Sequence, residues 1–167
     1  KLTVEKYLRF YNQQFELPYT IMRYANVYGP RQNPKGEAGV ISIFIEKMIE
    51  GAQPTIHGDG HQTRDYVYVD DVVAANLLAL EANLNDYFNV STCRQTTVNE
   101  IFEVLKKKLD FPYDAKHDNS FPGQAVSCLN NEKIKRELGW EQEFELEEGM
   151  EETLEWFRDE KFGTRNM

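Results

Sequence analysis

Asn26, Arg31 and Gln32 stand close together in one loop, and Arg64 closes a glycine-bearing stretch, His57-Gly58-Asp59-Gly60-His61-Gln62-Thr63-Arg64. A guanidinium fork beside a side-chain amide suits the oxygens of a phosphate or diphosphate ester, because the fork presents its donors in one plane. Taken singly, each loop reads as well as a connector: a surface arginine is usually solvated, and a Gly-Asp-Gly run is good turn chemistry. The other reactive side chains point to little. Cys93 and Cys128 are the only cysteines, with no CxxC spacing and no histidine close in sequence, so neither a disulfide framework nor a zinc site is expected. Glu147, Glu148, Glu151 and Glu152 read as the acidic start of a helix, where carboxylates meet the positive end of the dipole, and not as a metal site.

The charge balance narrows the partners. The formal net charge is −9, with a sequence pI near 4.9. Such a surface repels nucleic acid and anionic membrane, so neither is expected as a partner. The longest apolar run, Val40 to Ile45, is interrupted by Ser42 and is far too short to span a bilayer. With 41% hydrophobic residues and paired cysteines unneeded, a folded α/β-sized core in a reducing cytoplasm is the expectation.

The elements that must position the two loops follow from periodicity. Val4, Tyr7, Leu8, Tyr11 and Phe15 recur at helical spacing until Leu17-Pro18 ends the pattern. Tyr19 to Tyr24 is short, aromatic and β-branched, and runs into a Gly29-Pro30 turn, as a buried strand would. Ile41, Phe44, Ile45, Met48 and Ile49 mark one face of a deeply buried helix closed by Gly51, with Val40 and Ile43 widening that face. Tyr66 to Val69 predicts a strand, with Asp70 or Asp71 capping a helix through Leu84. Tyr87 to Val90 predicts another strand, and Thr97-Val98-Asn99-Glu100 is a capping box opening a helix on Ile101, Val104 and Leu105. Asn130 or Asn131 caps a short helix stopped by Gly139, and Met150, Thr153, Leu154 and Phe157 share one face of the last helix.

Strands alternating with helices argue for an α/β protein with a parallel sheet, yet only two strands of that kind are convincing. The remaining strands are expected upstream of Lys1, where the helical pattern is already under way. That predicts a piece of a longer chain, with a sheet edge left open and marginal stability in isolation.

The segments KLTVEKYL, PYTIMRYANVYGPRQ, PTIHGDGHQTRDYVYVDDV, FNVSTCRQTTVNE and KRELGW, in this order, strongly resemble the extended short-chain dehydrogenases. The similarity is to the NAD-dependent epimerase/dehydratase family of nucleotide-sugar enzymes, nearest its UDP-glucose 4-epimerase-like members, and covers nearly all of the chain. It implies the carboxy-terminal part of a Rossmann-type sheet plus a smaller substrate-binding lobe. Residues 1–28 would end the NAD-binding domain. Residues 29–167 would be mainly the substrate lobe, with a returning Rossmann strand and helix near 64–91 and the boundary in the loop Gly29 to Glu37.

The resemblance also implies roles. Lys1 matches the lysine of the family's YxxxK pair; it would hold the nicotinamide ribose and, as an ammonium, favour the phenolate of a tyrosine four residues earlier. Tyr24 and Val27 would line the nicotinamide, and Asn26 would bond a substrate phosphate. Val40 and Ile41 would contact the nucleotide through their backbone, Thr55 and His57 would read a uracil edge through theirs, and Arg64 would bind the diphosphate. NAD is the implied cofactor, a UDP-sugar the implied substrate, no metal is implied, and a homodimer would form through the helix of residues 1–16, with Tyr7, Phe10 and Tyr11 available. The implied reaction is C4 epimerisation, with 4,6-dehydration, uronate decarboxylation and noncatalytic sugar-nucleotide binding as alternatives; this piece alone would be inactive. Three departures stand out: Phe121-Pro122-Gly123-Gln124 replaces an RPGE-like pattern, and Ser91 and Cys93 replace glycines of an NVGTGR-like loop.

Overall fold

The computed structural model describes residues 1–35, 39–82, 84–120 and 123–163. Fourteen elements follow in the order α1 (Leu2–Phe15), β1 (Thr20–Tyr24), β2 (Asn26–Tyr28), α2 (Val40–Ile49), β3 (Thr55–His57), β4 (Thr63–Arg64), β5 (Tyr66–Tyr68), α3 (Val69–Ala82), β6 (Asp86–Val90), β7 (Thr96–Thr97), α4 (Val98–Lys108), β8 (Lys116–Asp118), α5 (Glu132–Leu138) and α6 (Leu146–Phe162). The strands pair two by two: β1 with β6, β2 with β5 and β3 with β8 are parallel, and β4 with β7 is antiparallel. Among the described residues eight strands thus stand where the sequence predicts three. Strands of two or three residues are too short to display an alternation, so long-range pairing alone defines them.

The strand β5 divides the interior. Side chains alternate across a strand, so Tyr66 and Tyr68 enter one core while Val67, fully buried, enters another. The first core packs α2 (Ile41, Phe44, Ile45, Met48), α4 (Val98, Ile101, Phe102, Leu105) and α6 (Met150, Leu154, Phe157) around those tyrosines. Gly149 permits this closeness: a Cβ there would clash with the Tyr28 hydroxyl and meet the Tyr68 ring at 2.8 Å. The second core gathers Val72 and Ala75 of α3, Phe88 and Val90 of β6, Ile134 and Trp140. Neighbouring β2 divides its residues likewise, with Tyr28 in the first core and Val27 against the second.

Local chemistry sets the helix ends. The capping box forms as spelled: the Glu100 N–H donates to Thr97 Oγ1 at 3.0 Å, and the Thr97 N–H donates to Glu100 Oε2 at 2.7 Å. Gly139 ends α5 in the left-handed region, as expected. Asn131 holds the N-cap position of α5, but Asn130 Oδ1 accepts the Glu132 N–H while Asn131 Nδ2 donates to the Ser91 carbonyl.

Two expectations fail. The helix α3 starts at Val69, so Asp70 and Asp71 sit inside its first turn and neither precedes it as a cap. Asp71, almost fully buried, instead accepts the Glu143 N–H at 2.8 Å and the Phe144 N–H at 3.4 Å, while its carbonyl accepts Trp140 Nε1–H at 2.9 Å. Burial raises its pKa above the ordinary carboxylate value, against those two hydrogen bonds. The expected strand to Val69 accordingly stops at Tyr68. In α1 the helix forms but none of its residues is buried; Tyr7, Phe10, Tyr11 and Phe15 are all about half exposed or more. It is tied down by polar contacts, chiefly the two-pronged pair of Arg23 with Glu5, at 2.9 and 2.5 Å.

Candidate functional site

A cavity of about 260 Å³ opens where five separated segments meet, the fifth being Val98 of α4. Asn26 begins β2, Val40 begins α2, Thr55 and His57 bracket β3, and Arg64 ends β4; all five line it, with Gln62, Tyr66 and Phe44 as further walls. The β2–β5 pairing sets Asn26 opposite Tyr66, and the Asn26 N–H donates to the Asp65 carbonyl at 2.8 Å, so the Asn26 and Arg64 backbones are held near one another.

Arg64 is anchored from behind. Its Nη1 donates to the carbonyls of Thr63 and Gln124, both at 2.7 Å, which leaves Nε and Nη2 for an anion. Gln124 thus meets Arg64 through its main-chain carbonyl; Phe121 and Pro122 lie outside the described residues. The helix α2 contributes a second anion-binding feature. Its N-cap is Gly39, which has no side chain to satisfy the first backbone N–H groups, and Ser42 Oγ donates to the Gly39 carbonyl. Val40 is half-buried at the cavity while Ile41 is 1% exposed in the first core, so Ile41 has only its backbone to offer.

His57 is oriented by a carboxylate. Its Nδ1 lies 2.9 and 3.1 Å from the Asp118 oxygens, in the β3–β8 register that sets the two residues opposite each other. The Ser120 N–H, and after it the His57 ring, hold the Asp118 carboxyl below its ordinary range. Gln62 Nε2 donates to the His57 carbonyl at 3.1 Å. Burial pushes the Tyr66 phenol up to about 12, so it stays protonated and can bond but not act as a base at neutral pH.

Not every expected residue joins this cavity. Arg31 and Gln32 line a different one, beside Trp156 and Lys161, and Gln32 Nε2 bonds the Val27 carbonyl. Tyr24 stands at the carboxyl end of β1, exposed, with its hydroxyl donating to Asn76 Oδ1 of α3 at 2.7 Å. Strand alternation sends Arg23 to the opposite face, toward α1, so the Tyr24 ring and the helix bearing Lys1 lie on opposite faces of β1. Lys1 is exposed, one helical turn from Glu5 and its Arg23 anchor.

Sequence reasoning missed Asp65, which follows Arg64 in the chain and is 1% exposed. Its carboxylate accepts the N–H groups of Thr92 (2.9 Å), Cys93 (3.2 Å) and Leu129 (3.2 Å) and the Thr92 hydroxyl (2.9 Å). The available signal was a carboxylate next to an arginine at the mouth of a strand that is apolar on both faces. The loop departures are also resolved: Cys93 adopts a left-handed conformation (φ 59°) that glycine takes without strain, and Ser91 Oγ donates to the Leu129 carbonyl.

The α/β frame with parallel strand ends is of Rossmann type, and an anion-ready helix start and an anchored arginine stand at one cavity in it. The NAD dependent epimerase/dehydratase family model matches residues 1–91, and the chain belongs to that family. It is 38% identical over 161 residues to the UDP-glucose 4-epimerase of Mycolicibacterium smegmatis, covering 95% of this chain and 51% of that protein. A UDP-glucose 4-epimerase of Thermotoga maritima, solved with UDP-glucose, is 48% identical with a TM-score of 0.93, over 96% of this chain and 52% of its own. A UDP-glucose 4-epimerase of Thermus thermophilus, solved in complex with NAD, is 35% identical with a TM-score of 0.84, over 93% and 51% respectively. The chain spans about half the length of the curated relatives it matches.

Proposed function

We propose that this chain forms the substrate-binding part of an NAD-dependent nucleotide-sugar epimerase of the UDP-glucose 4-epimerase type. The observation that carries the reading is the convergence of Asn26, Val40, Thr55, His57 and Arg64 on one cavity. Arg64 and the first turn of α2 neutralise the diphosphate, the Asn26 amide donates to a phosphate oxygen, and the backbone around Thr55 and His57 offers an edge to uracil, with Ile41 contributing its N–H. Binding there anchors the nucleotide so that the sugar alone is free to move.

For NAD the fit is to one edge. The carboxyl ends of parallel β1 and β6 meet at Tyr24 and Val90, the position at which open α/β sheets receive dinucleotides. The main chain from Tyr24 to Val27 lies along that edge, and Lys1, on the helix anchored through Glu5 to β1, supplies an ammonium for ribose hydroxyls. When bound, NAD supplies reversible hydride acceptance from the sugar. The residues of this chain hold and orient; Lys1 also favours the anionic form of a neighbouring phenol. Residues 1–28 then belong to the dinucleotide-binding domain and residues 29–167 mainly to the substrate lobe, with the strand and helix near 64–91 returning to the sheet. The exposed aromatic face of α1 suits pairing with its twin in a homodimer. Free cysteines suit a cytoplasmic enzyme, and no helix among the described residues is long and apolar enough to cross a membrane.

The test is conversion of UDP-glucose to UDP-galactose by the full-length protein, with UDP affinity measured by calorimetry. Arg64→Leu should weaken UDP binding by roughly 10- to 100-fold, the worth of charge-assisted hydrogen bonds. Unchanged UDP affinity in that variant, or no UDP binding by the parent, would overturn the reading.

A further inference from the structure

Asp65 Oδ2 draws two distant cysteines to one point. The Cys93 N–H donates to it at 3.2 Å and the Cys128 thiol donates to it at 3.6 Å, although the two residues lie far apart in sequence. One carboxylate oxygen thus holds the Cys93 backbone and the Cys128 thiol together, and Cys93 adds to the rise in the Cys128 pKa. Both cysteines are free, Cys93 exposed in the loop after β6 and Cys128 half-buried ahead of α5. We propose that Cys93 and Cys128 are a thiol pair that hydrogen peroxide closes into a reversible disulfide across Asp65, tying the loop after β6 to the segment ahead of α5.

The two thiols differ in the way such a step needs. Burial, and then the charge of Asp65, push the Cys128 thiol up to about 11, so it stays protonated at neutral pH. The exposed Cys93 meets the oxidant first. Its thiolate attacks one peroxide oxygen, breaking the O–O bond to give a sulfenic acid and hydroxide, which takes up a proton as water. The Cys128 sulfur then attacks the Cys93 sulfur; the S–S bond forms, the S–O bond breaks, and the Cys128 proton leaves by way of Asp65 with the departing hydroxide as a second water. Two thiols are oxidised by two electrons and one peroxide is reduced to two waters. The bond would close immediately behind the anion-binding edge: the Asp65 carbonyl holds the Asn26 N–H, and the Gln124 carbonyl that anchors Arg64 lies on the segment leading to Cys128.

The inference does not depend on the nucleotide reading, and its test needs no nucleotide. The reduced, folded full-length protein is treated with hydrogen peroxide, blocked with an alkylating agent and mapped by mass spectrometry without reduction. The expected product is one intramolecular link joining the peptides that carry Cys93 and Cys128, two hydrogens lighter than their sum and reopened by dithiothreitol. Cys128→Ser should halt the chemistry at a sulfenic acid on Cys93 that dimedone traps, while Cys93→Ser should leave Cys128 unoxidised under the same exposure. Cys93 sulfenic acid accumulating in the parent protein without the link, or a link only between separate molecules, would overturn the proposal.

Discussion

On one side of β5, Tyr66 and Tyr68 are enclosed by three helices; on the other, Val67 meets a smaller set led by Phe88, Ile134 and Trp140. The first core is closed by apolar contact, with Phe44 edge-on to Phe102 at 6.2 Å and Tyr68 against Phe144 at 4.6 Å. The second leans on polar anchors, namely Asp71 catching the 143–144 backbone, Asn131 bonding the Ser91 carbonyl, and Arg23 gripping Glu5. Its outer helices leave Val73, Leu77 and Leu80 exposed on α3 and an apolar stripe on α1. The region that shapes the candidate substrate cavity is thus held by packing, which is stiff, and the region beside the expected dinucleotide is held by a few directional bonds, each of which is singly breakable.

Mutations can break that contrast in order of size. Phe44→Ala should cost about 3–5 kcal/mol in urea unfolding, because it empties the centre of the first core and leaves a cavity between α2 and α4. A cost below about 1 kcal/mol would show that the first core repacks freely. Asp65→Asn keeps the shape but sets an amide N–H₂ among donors; with buried N–H groups losing their acceptor, a loss of about 1–3 kcal/mol is expected.

Glu100→Gln sharpens the comparison through pH. The backbone and then the hydroxyl of Thr97 hold the Glu100 pKa below its usual value, so its contribution is present above the unfolded pKa of about 4.3 and is lost as pH falls through the folded one. The parent should exceed the variant by about 0.5 kcal/mol at pH 7, and the gap should close as pH falls through the folded pKa. A gap that widens on acidification would contradict that assignment. The smallest effect belongs to the bare face of α3: Leu77→Ser with Leu80→Ser should shift stability by no more than about 0.5 kcal/mol, while light scattering shows reduced self-association if that face is sticky.

Legibility in the sequence follows the range of the interactions. The capping box at Thr97, the Gly139 stop and the buried faces of α2 and α6 were readable because each depends on residues within one or two turns. Asp70 and Asp71 misled because a carboxylate before an apolar run looks like a cap, whereas the strand hands over to the helix at Val69 and Asp71 is taken up by a loop far along the chain. The apolar stripe of α1 predicted a helix correctly but said nothing of burial, since periodicity reports a face and not what lies against it.

By itself, the sequence determined the helices, the ends marked by the Thr97 capping box and by Gly139, and the segments whose resemblance pointed to a nucleotide-sugar enzyme. Only the tertiary structure decided that Asn26, Val40, Thr55, His57 and Arg64 share a cavity while Arg31 and Gln32 face another, and that the Tyr24 ring turns away from the helix of Lys1. It alone also brought Cys93 and Cys128 to the same carboxylate oxygen. The physical reason is that strand pairing and buried hydrogen bonds join residues across long stretches of chain, where no spacing rule applies until the backbone has closed.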